Sequence, residues 1–434
     1  MIHRGDLFDV LPTFAEASID ACVTDPPYGI GFMGREWDTF KPGVEATRIV
    51  PNRAIASDNP NLKGRTRGPA SSPSAVEYNR TLSGQREFQA WCERWAREVY
   101  RVLKPGAYLL VCGAPRSFHR MTCGIEDAGF EVRDCLSWLY GQGFPKSLNI
   151  GEGRGTALKP GWEPIIVARK PFTCTVAANV AQYGTGALNI DACRLDGPTN
   201  PAKWGGRQLS DIGYQGNGQP EYQTQQSDLG RWPANVVLDE DAARLLDEQT
   251  GDLGVSAGGR IGNAGGGSVV IVPAGVFSAG DPGFGDRGGA SRFYYVAKPS
   301  REERDYGCEG LAARQRDESR KAGNPGGDNP RNRGLQPRGN FHPTVKPVEL
   351  MRWLVKLVTP IGGTVLDLFM GSGTTGMACA YEQRQFIGIE REAEYLAIAE
   401  RRIAAVAPLF SEAARATNAV DPSDGSAGTL STRV

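Results

Sequence analysis

Apolar residues recur along this chain at two different spacings, and the alternation between them predicts the fold. Ala21-Cys22-Val23-Thr24 is a short apolar run of strand length that leads straight into Asp25-Pro26-Pro27-Tyr28. From Glu87 to Leu103 the residues Phe88, Trp91, Trp95, Val99 and Leu103 recur at helical spacing. Lys104-Pro105-Gly106 stops that helix, and Tyr108 to Cys112 follows as a strand. Toward the carboxyl end, Leu350 to Val358 reads as a helix and Thr364 to Leu368 as a strand. A glycine turn, a helix, the strand Phe386 to Glu390 and a long helix from Glu394 to about Val406 follow. Alternation of this kind implies a doubly wound parallel α/β sheet with right-handed crossovers.

The middle of the chain has a different texture. From about Phe172 to Asn340 it is rich in Gly, Asn, Gln, Pro and Arg, with short apolar runs such as Val236-Val237-Leu238 and Val269-Val270-Ile271-Val272. Gly262-Asn263-Ala264-Gly265-Gly266-Gly267 has no periodicity and reads as a loop. This region is expected to be an inserted module of strand and loop, not a continuation of the alternating core. Residues 31–84 read as a second irregular insertion, and the tail after Phe410 as flexible. The expected division is a catalytic half over 1–171, an insert over 172–340, a cofactor-binding half over 341–410 and a tail over 411–434.

Composition narrows the class without choosing a function. The 434 residues, with 40% hydrophobic and 23% charged positions, suit a soluble globular protein with one large domain and a second substantial module. No apolar run approaches a membrane span, and the start has no signal-peptide core, so a cytoplasmic protein is expected. The nine cysteines include no Cys-x-x-Cys pair, and only three histidines are present, so no metal site is expected. Net charge is zero, but Arg48 to Lys104 holds 11 basic against 5 acidic residues, and Lys298 to Arg338 holds 10 against 7. Such local excess suits a phosphate backbone or merely a solvated loop.

Two motifs carry chemistry. In Asp367-Leu368-Phe369-Met370-Gly371-Ser372-Gly373-Thr374-Thr375-Gly376, a strand turns into a helix through glycines that let the backbone pass close to a ligand. No lysine follows the second glycine, which argues against a phosphate-gripping P-loop. The next strand ends in Glu390, an acid able to accept ribose hydroxyls, so turn and acid together suggest a nucleoside cofactor. This pair alone leaves a dinucleotide and S-adenosylmethionine both open. The second motif, Asp25-Pro26-Pro27-Tyr28, stands at the carboxyl end of a strand, where open α/β sheets bind ligands. The Asp25 carboxylate and the Pro26 carbonyl can each accept an N–H of an exocyclic base amine and aim its lone pair at a methyl donor. Pro26 and Pro27 stiffen the backbone, and Tyr28 offers a ring face for a base drawn out of a duplex.

With these motifs in this order, the sequence resembles the beta class of amino DNA methyltransferases, and the stretch Leu136 to Ser147 looks like the solitary methylases of phages and prophages. The resemblance covers residues 1–171 and 341–406 and favours S-adenosylmethionine over a dinucleotide. It implies a Rossmann-like class I methyltransferase fold, circularly permuted, with an inserted target-recognition region. By resemblance Asp6 lies near the cofactor's adenine, and Phe369, Gly371 and Gly373 contact the cofactor. Glu390 takes its ribose, and the cofactor-binding set also includes Asp367, Ser372 and Thr374. Phe341 to Pro347, with Thr344 and Lys346, is similar to the segment packed over the methionine end. Leu368 stands where the family usually has proline. The aromatics around Leu136 to Ser147 could line a flipped-base pocket or form core.

The implied partner is double-stranded DNA, with restriction-modification as the setting; a homodimer is compatible with the sequence but not demanded by it. Adenine is the favoured base because relatives with aspartate at the head of the tetrapeptide lean toward adenine, and the cytosine N4 amine is the alternative. Methylation of RNA or a protein amide, and a non-catalytic cofactor-binding DNA module, stand further off.

Overall fold

The computed structural model describes residues 1–29, 82–141, 143, 149–197, 230–252, 287–297, 302–314 and 338–418. The Gly262–Gly267 and Val269–Val272 runs lie outside the described residues, as do most of the 31–84 insertion, Gln142 and Phe144 to Ser147, and residues 419–434.

Eleven strands and eight α-helices are formed by the described residues. In chain order the strands of the main sheet are β1 (Ile2–Arg4), β2 (Ile19–Thr24), β3 (Leu103–Cys112), β4 (Glu131–Leu139), β7 (Trp162–Arg169), β8 (Val236–Asp239), β9 (Tyr295–Ala297), β10 (Thr364–Asp367) and β11 (Gln385–Glu390). They lie in the spatial order β1-β11-β10-β2-β3-β7-β4-β8-β9. β5 (Asn149–Gly151) and β6 (Arg154–Gly155) form a separate hairpin. Only β7 runs antiparallel to its neighbours in the main sheet.

The pairing of β10 with β2 closes the two ends of the chain into one sheet, with Val365 beside Ala21 and Leu366 beside Cys22. β1 then pairs with β11, His3 beside Ile389. In a parallel sheet all carboxyl ends point one way, so the ends of β2 and β10 open onto the same edge.

Two apolar layers cover the sheet. On one face, α2 (Leu82–Val102) buries Phe88, Cys92, Trp95, Ala96, Val99 and Val102, an i, i+3/i+4 stripe, together with Met121 and Ile125 of α3 (Phe118–Asp127). The short α1 (Leu7–Val10) contributes Leu7 to the same layer. The other face takes α6 (Val348–Val358), whose apolar residues are buried while Glu349, Arg352 and Lys356 stay half-buried on one side, and Ala378 and Cys379 of α7 (Thr374–Tyr381). α8 (Ala393–Asn418) packs against α7. No described helix is long and apolar enough to cross a membrane.

Two expectations change here. Parts of the 172–340 stretch are not a module apart: β8 and β9, joined through α5 (Glu240–Thr250), extend the sheet in parallel from β4. Four- and three-residue strands are too short to show a period, so only their partner strand identifies them. Further back, α4 (Val176–Tyr183) places the buried Asn179, which donates to the carbonyls of Pro105 and Thr185. Asn189 donates to the carbonyls of Lys356 and Thr359, satisfying the carboxyl end of α6. The second change is in the tail, where α8 continues helical through Asn418, past Phe410.

Candidate active site

β2 delivers Asp25 to the carboxyl edge, and β10 delivers Asp367 beside it. Thr24 Oγ1 donates to Asp367 Oδ1 at 2.7 Å, tying the two strand ends together. Asp367 also accepts from the Phe369 N–H at 3.2 Å, which sets the first bend of the glycine turn. Burial pushes Asp367 up to about 6, while the hydroxyls of Thr375 and Thr24 and the Phe369 N–H pull the other way.

Pro26 is buried, and Asp25, Pro27 and Tyr28 are half-buried. Tyr28 is held from behind by Ser117, whose Oγ donates to the Tyr28 carbonyl at 2.6 Å. Its hydroxyl lies 2.6 Å from Asp25 Oδ1 and 2.6 Å from Glu163 Oε1. Lys346 donates to Asp25 Oδ2 at 2.8 Å and to the Tyr28 oxygen at 2.9 Å, and is ion-paired with Glu163 Oε1 at 2.8 Å. Residues more than 300 positions apart therefore share one hydrogen-bonded cluster. Burial works against the Lys346 charge, but Asp25 and Glu163 more than offset it and hold the ammonium well above its usual range. The Tyr28 phenol is raised by burial and by the Asp25 and Glu163 charges, so it stays protonated. Asp25, Glu163 and Cys112 put ligand atoms within 4.8 Å of one another, but the Lys346 ammonium already contacts both carboxylates as their counter-charge.

The glycine turn occupies the neighbouring part of the edge. Gly371 and Gly373 have left-handed φ of 54° and 79°. A Cβ on Gly371 would stand 2.8 Å from His342 Nε2, and one on Gly373 would stand 2.9 Å from the Ala399 Cα. Gly371 N–H donates to Glu390 Oε2 at 2.8 Å and Glu392 N–H to Oε1 at 2.8 Å. Burial pushes Glu390 up to about 7 against the pull of these two N–H groups. Phe369 packs on Trp91 and Trp95, with ring centroids at 5.6 and 6.2 Å. Asp6, two residues past the end of β1, caps α1 by accepting from the Phe8 N–H. The Gly5 N–H donates to the Glu390 carbonyl, so Asp6 follows directly on a strand end held beside Glu390.

Lys346, Ser372, Thr374 and Thr344 have the following surroundings, as do four further polar and aromatic residues. Lys346, grouped by resemblance with the cofactor segment, has its ammonium on Asp25, Tyr28 and Glu163. Ser372 Oγ and Thr374 Oγ1 each accept from Arg402 Nη1 at 3.1 Å and are buried. Thr344 contributes its carbonyl, 2.6 Å from His342 Nδ1, and the His342 ring packs edge-on against Tyr395. Arg116 and His119 are exposed, and Trp232 is 65% exposed with the Arg194 guanidinium 5.2 Å from its ring. Tyr295 stacks on Trp353 at 5.5 Å as core.

Sequence reasoning missed Glu163, Arg402 and Asn340. Glu163 carried a usable signal, a lone carboxylate in the otherwise uncharged run Trp162 to Ala168. Asn340 is fully buried, donates to the Arg304 carbonyl and accepts from His342 N–H, anchoring the segment that carries Lys346. Arg402, fully buried on α8, donates to the Ser372 carbonyl at 2.6 Å and to the Glu303 carbonyl at 3.2 Å. It braces the glycine turn from beneath. Replacing Arg402 with methionine keeps most of the volume but strands these buried acceptors, with an expected loss of about 2–3 kcal/mol in chemical denaturation. An unchanged denaturation midpoint would remove the bracing role.

Against known proteins, the profile of an N6/N4 methyltransferase family described as DNA methylase matches residues 19–174 and 293–401, more than half of the chain. The type II methyltransferase M.HindIII of Haemophilus influenzae is 27% identical over 206 residues, covering 43% of this chain and 64% of that protein. M.BglI of Bacillus subtilis is 47% identical over 66 residues, 15% of this chain and 19% of its own length. M2.DpnII of Streptococcus pneumoniae is 47% identical over 64 residues, 15% of this chain and 24% of its own length. The matched stretch thus spans less than two thirds of each of these relatives. Among solved structures, the cytosine-N4-specific PvuII DNA methyltransferase aligns over 95% of this chain and 91% of its own, with 14% identity and a TM-score of 0.44. A Thermus thermophilus protein solved in complex with S-adenosyl-L-methionine aligns over 94% of this chain and 95% of its own, with 17% identity and a TM-score of 0.35. On the extent of the profile match, the chain belongs to the N6/N4 DNA methylase family.

Proposed function

We propose that this protein transfers a methyl group from S-adenosylmethionine to the exocyclic N6 amine of adenine in duplex DNA, at a specific sequence and with the target base flipped out. The observation that carries this reading is the juxtaposition of the Asp25–Tyr28 corner and the Gly371–Gly373 turn, joined through the Thr24–Asp367 hydrogen bond. Asp25, Pro26, Pro27 and Tyr28 form the catalytic corner, with Lys346 paired to it, and Asp6, Thr344, Asp367, Phe369, Gly371, Ser372, Gly373, Thr374 and Glu390 form the cofactor side. The duplex target is read by side chains from the 172–340 stretch, and the enzyme works in the cytoplasm on DNA of the kind guarded by type II modification.

The residues suit the cofactor. The left-handed φ of Gly371 and Gly373 sets the sharp strand-to-helix turn, and Glu390 spends one N–H bond per oxygen, leaving lone pairs for ribose hydroxyls. When bound there, the cofactor supplies an activated methyl group on a sulfonium. Asp25 and the Pro26 carbonyl accept the two amine N–H bonds, holding the nitrogen lone pair toward that methyl group. As the bond forms, the nitrogen becomes cationic, and the Asp25 carboxylate binds it more strongly than the neutral amine. Two carboxylates against one ammonium leave the cluster formally anionic, matched to that developing charge.

Incubation with tritiated cofactor and unmethylated genomic DNA, followed by mass analysis of nucleosides, tests the reading: N6-methyladenine is expected. Methylcytosine alone would replace adenine by cytosine N4, and label on RNA or protein but not DNA would refute the assignment.

Cofactor affinity should depend on pH in a stated direction. With Glu390 at about 7 in the free protein, the carboxylate that accepts ribose hydroxyls is increasingly protonated as pH falls below 7. Affinity is therefore expected to fall by up to about tenfold per pH unit below that value and to level off above it. Calorimetric titration of Glu390→Gln should give weak binding without that slope; a retained slope assigns it to another group.

A further inference from the structure

The Tyr28 hydroxyl stands 2.6 Å from two carboxylate oxygens, Asp25 Oδ1 and Glu163 Oε1, yet a phenol has one proton to give. Two oxygens at that distance with no proton between them repel, so the cluster is short of a proton. Lys346 does not fill the gap, because its three protons serve its own contacts with Asp25 Oδ2, the Tyr28 oxygen and Glu163 Oε1. In the methyl-transfer chemistry derived above Glu163 contributes only its charge, and it stands on β7, the strand that runs against the rest of the sheet.

We propose that Glu163 is the final acceptor of the proton lost by the methylated amine, reached through Asp25 and the Tyr28 hydroxyl. This inference rests on the methyl-transfer reading. The N–C bond forms as the methyl–sulfur bond breaks, leaving a cationic secondary amine. Asp25 takes one N–H proton from it. The proton then passes from Asp25 Oδ1 to the Tyr28 oxygen while the phenolic proton moves on to Glu163 Oε1. Tyr28 ends as it began, Asp25 is again a carboxylate, and Glu163 is a carboxylic acid that releases its proton to solvent between turnovers. The geometry thus makes Glu163 a proton-handling residue that acts through Tyr28 without touching the substrate.

The test is the single-turnover rate of tritium transfer to unmethylated genomic DNA, from about pH 5 to pH 9, for the wild type, Glu163→Gln and Glu163→Asp. The wild-type rate is expected to climb with pH and level off as the empty contact becomes free of protons. Glu163→Gln should bind S-adenosylmethionine as the wild type does, react about 100-fold more slowly and show a displaced acid limb. Glu163→Asp keeps the carboxylate and should recover much of the rate with the acid limb in place. Parallel wild-type and Glu163→Gln profiles would reduce Glu163 to a counter-ion for Lys346 and overturn the proposal. If Glu163→Gln does not fold, Glu163→Ala is measured in its place, and a profile parallel to the wild type in that variant overturns the proposal as well. A wild-type enzyme that labels no DNA sinks the methyl-transfer reading itself, an outcome distinct from an active enzyme with an unmoved profile.

Discussion

Replacing Asp25 with alanine is expected to lower the single-turnover rate of methyl transfer by about 10³-fold, with S-adenosylmethionine affinity close to wild type. The carboxylate acts on the amine, whose charge changes during the reaction, and it lies across the Thr24–Asp367 link from the glycine turn. Its loss therefore weakens the transition state more than either bound ground state. The variant also removes one of the two carboxylates that hold the Lys346 ammonium, leaving Glu163 as its remaining ion-pair partner. Lys346 then sits closer to charge balance, and the cluster loses its attraction for a cationic nitrogen. Quenched-flow assays with enzyme in excess, paired with calorimetry of cofactor binding, separate the two effects. A turnover rate within a few-fold of wild type would end Asp25's proposed role.

Gly373→Val is expected to be the most damaging single substitution in the cofactor half. Its φ of 79° is a conformation β-branched residues resist, at a cost on the order of 1–3 kcal/mol. Its Cβ would also stand 2.9 Å from the Ala399 Cα, which is backbone and cannot step aside. Together these should destabilise the fold by about 3 kcal/mol or more and abolish measurable cofactor binding. Gly362 provides the comparison, since its φ is 76° but nothing lies within 4 Å of an added Cβ. Gly362→Ala should therefore show the conformational cost alone, about 1 kcal/mol. Equal losses in thermal melts of the two variants would show that close packing beneath the turn is not what Gly373 provides.

Much of the core was legible because local rules govern it. The strand before Asp25, the helix with Phe88, Trp95 and Val99, and the strand–turn–helix around Gly371 follow from periodicity, stop signals and glycine chemistry within a dozen residues. β8 and β9 were not legible as sheet, because runs of four and three residues have no period of their own. Glu163, Arg402 and Asn340 escaped for another reason: each is defined by partners far away in sequence. Arg402 on a helix reads as an ordinary surface cation until its burial beneath Ser372 and Thr374 is known. Lys346 shows the same limit from the opposite side. Its motif was visible, but which of two adjacent subsites its four-carbon stem reaches is a matter of tertiary placement.

By itself, then, the sequence determined the alternating α/β architecture, the glycine turn with its acid and the Asp-Pro-Pro-Tyr corner, since each is written in short-range spacing and side-chain chemistry. The tertiary structure alone decided that the two ends of the chain meet at one sheet edge, through β10 lying beside β2. It alone assembled Asp25, Tyr28, Glu163 and Lys346 into one hydrogen-bonded group. Parallel pairing between segments some 340 residues apart is selected by burial of both faces of the sheet, a free energy that no local stretch of chain expresses.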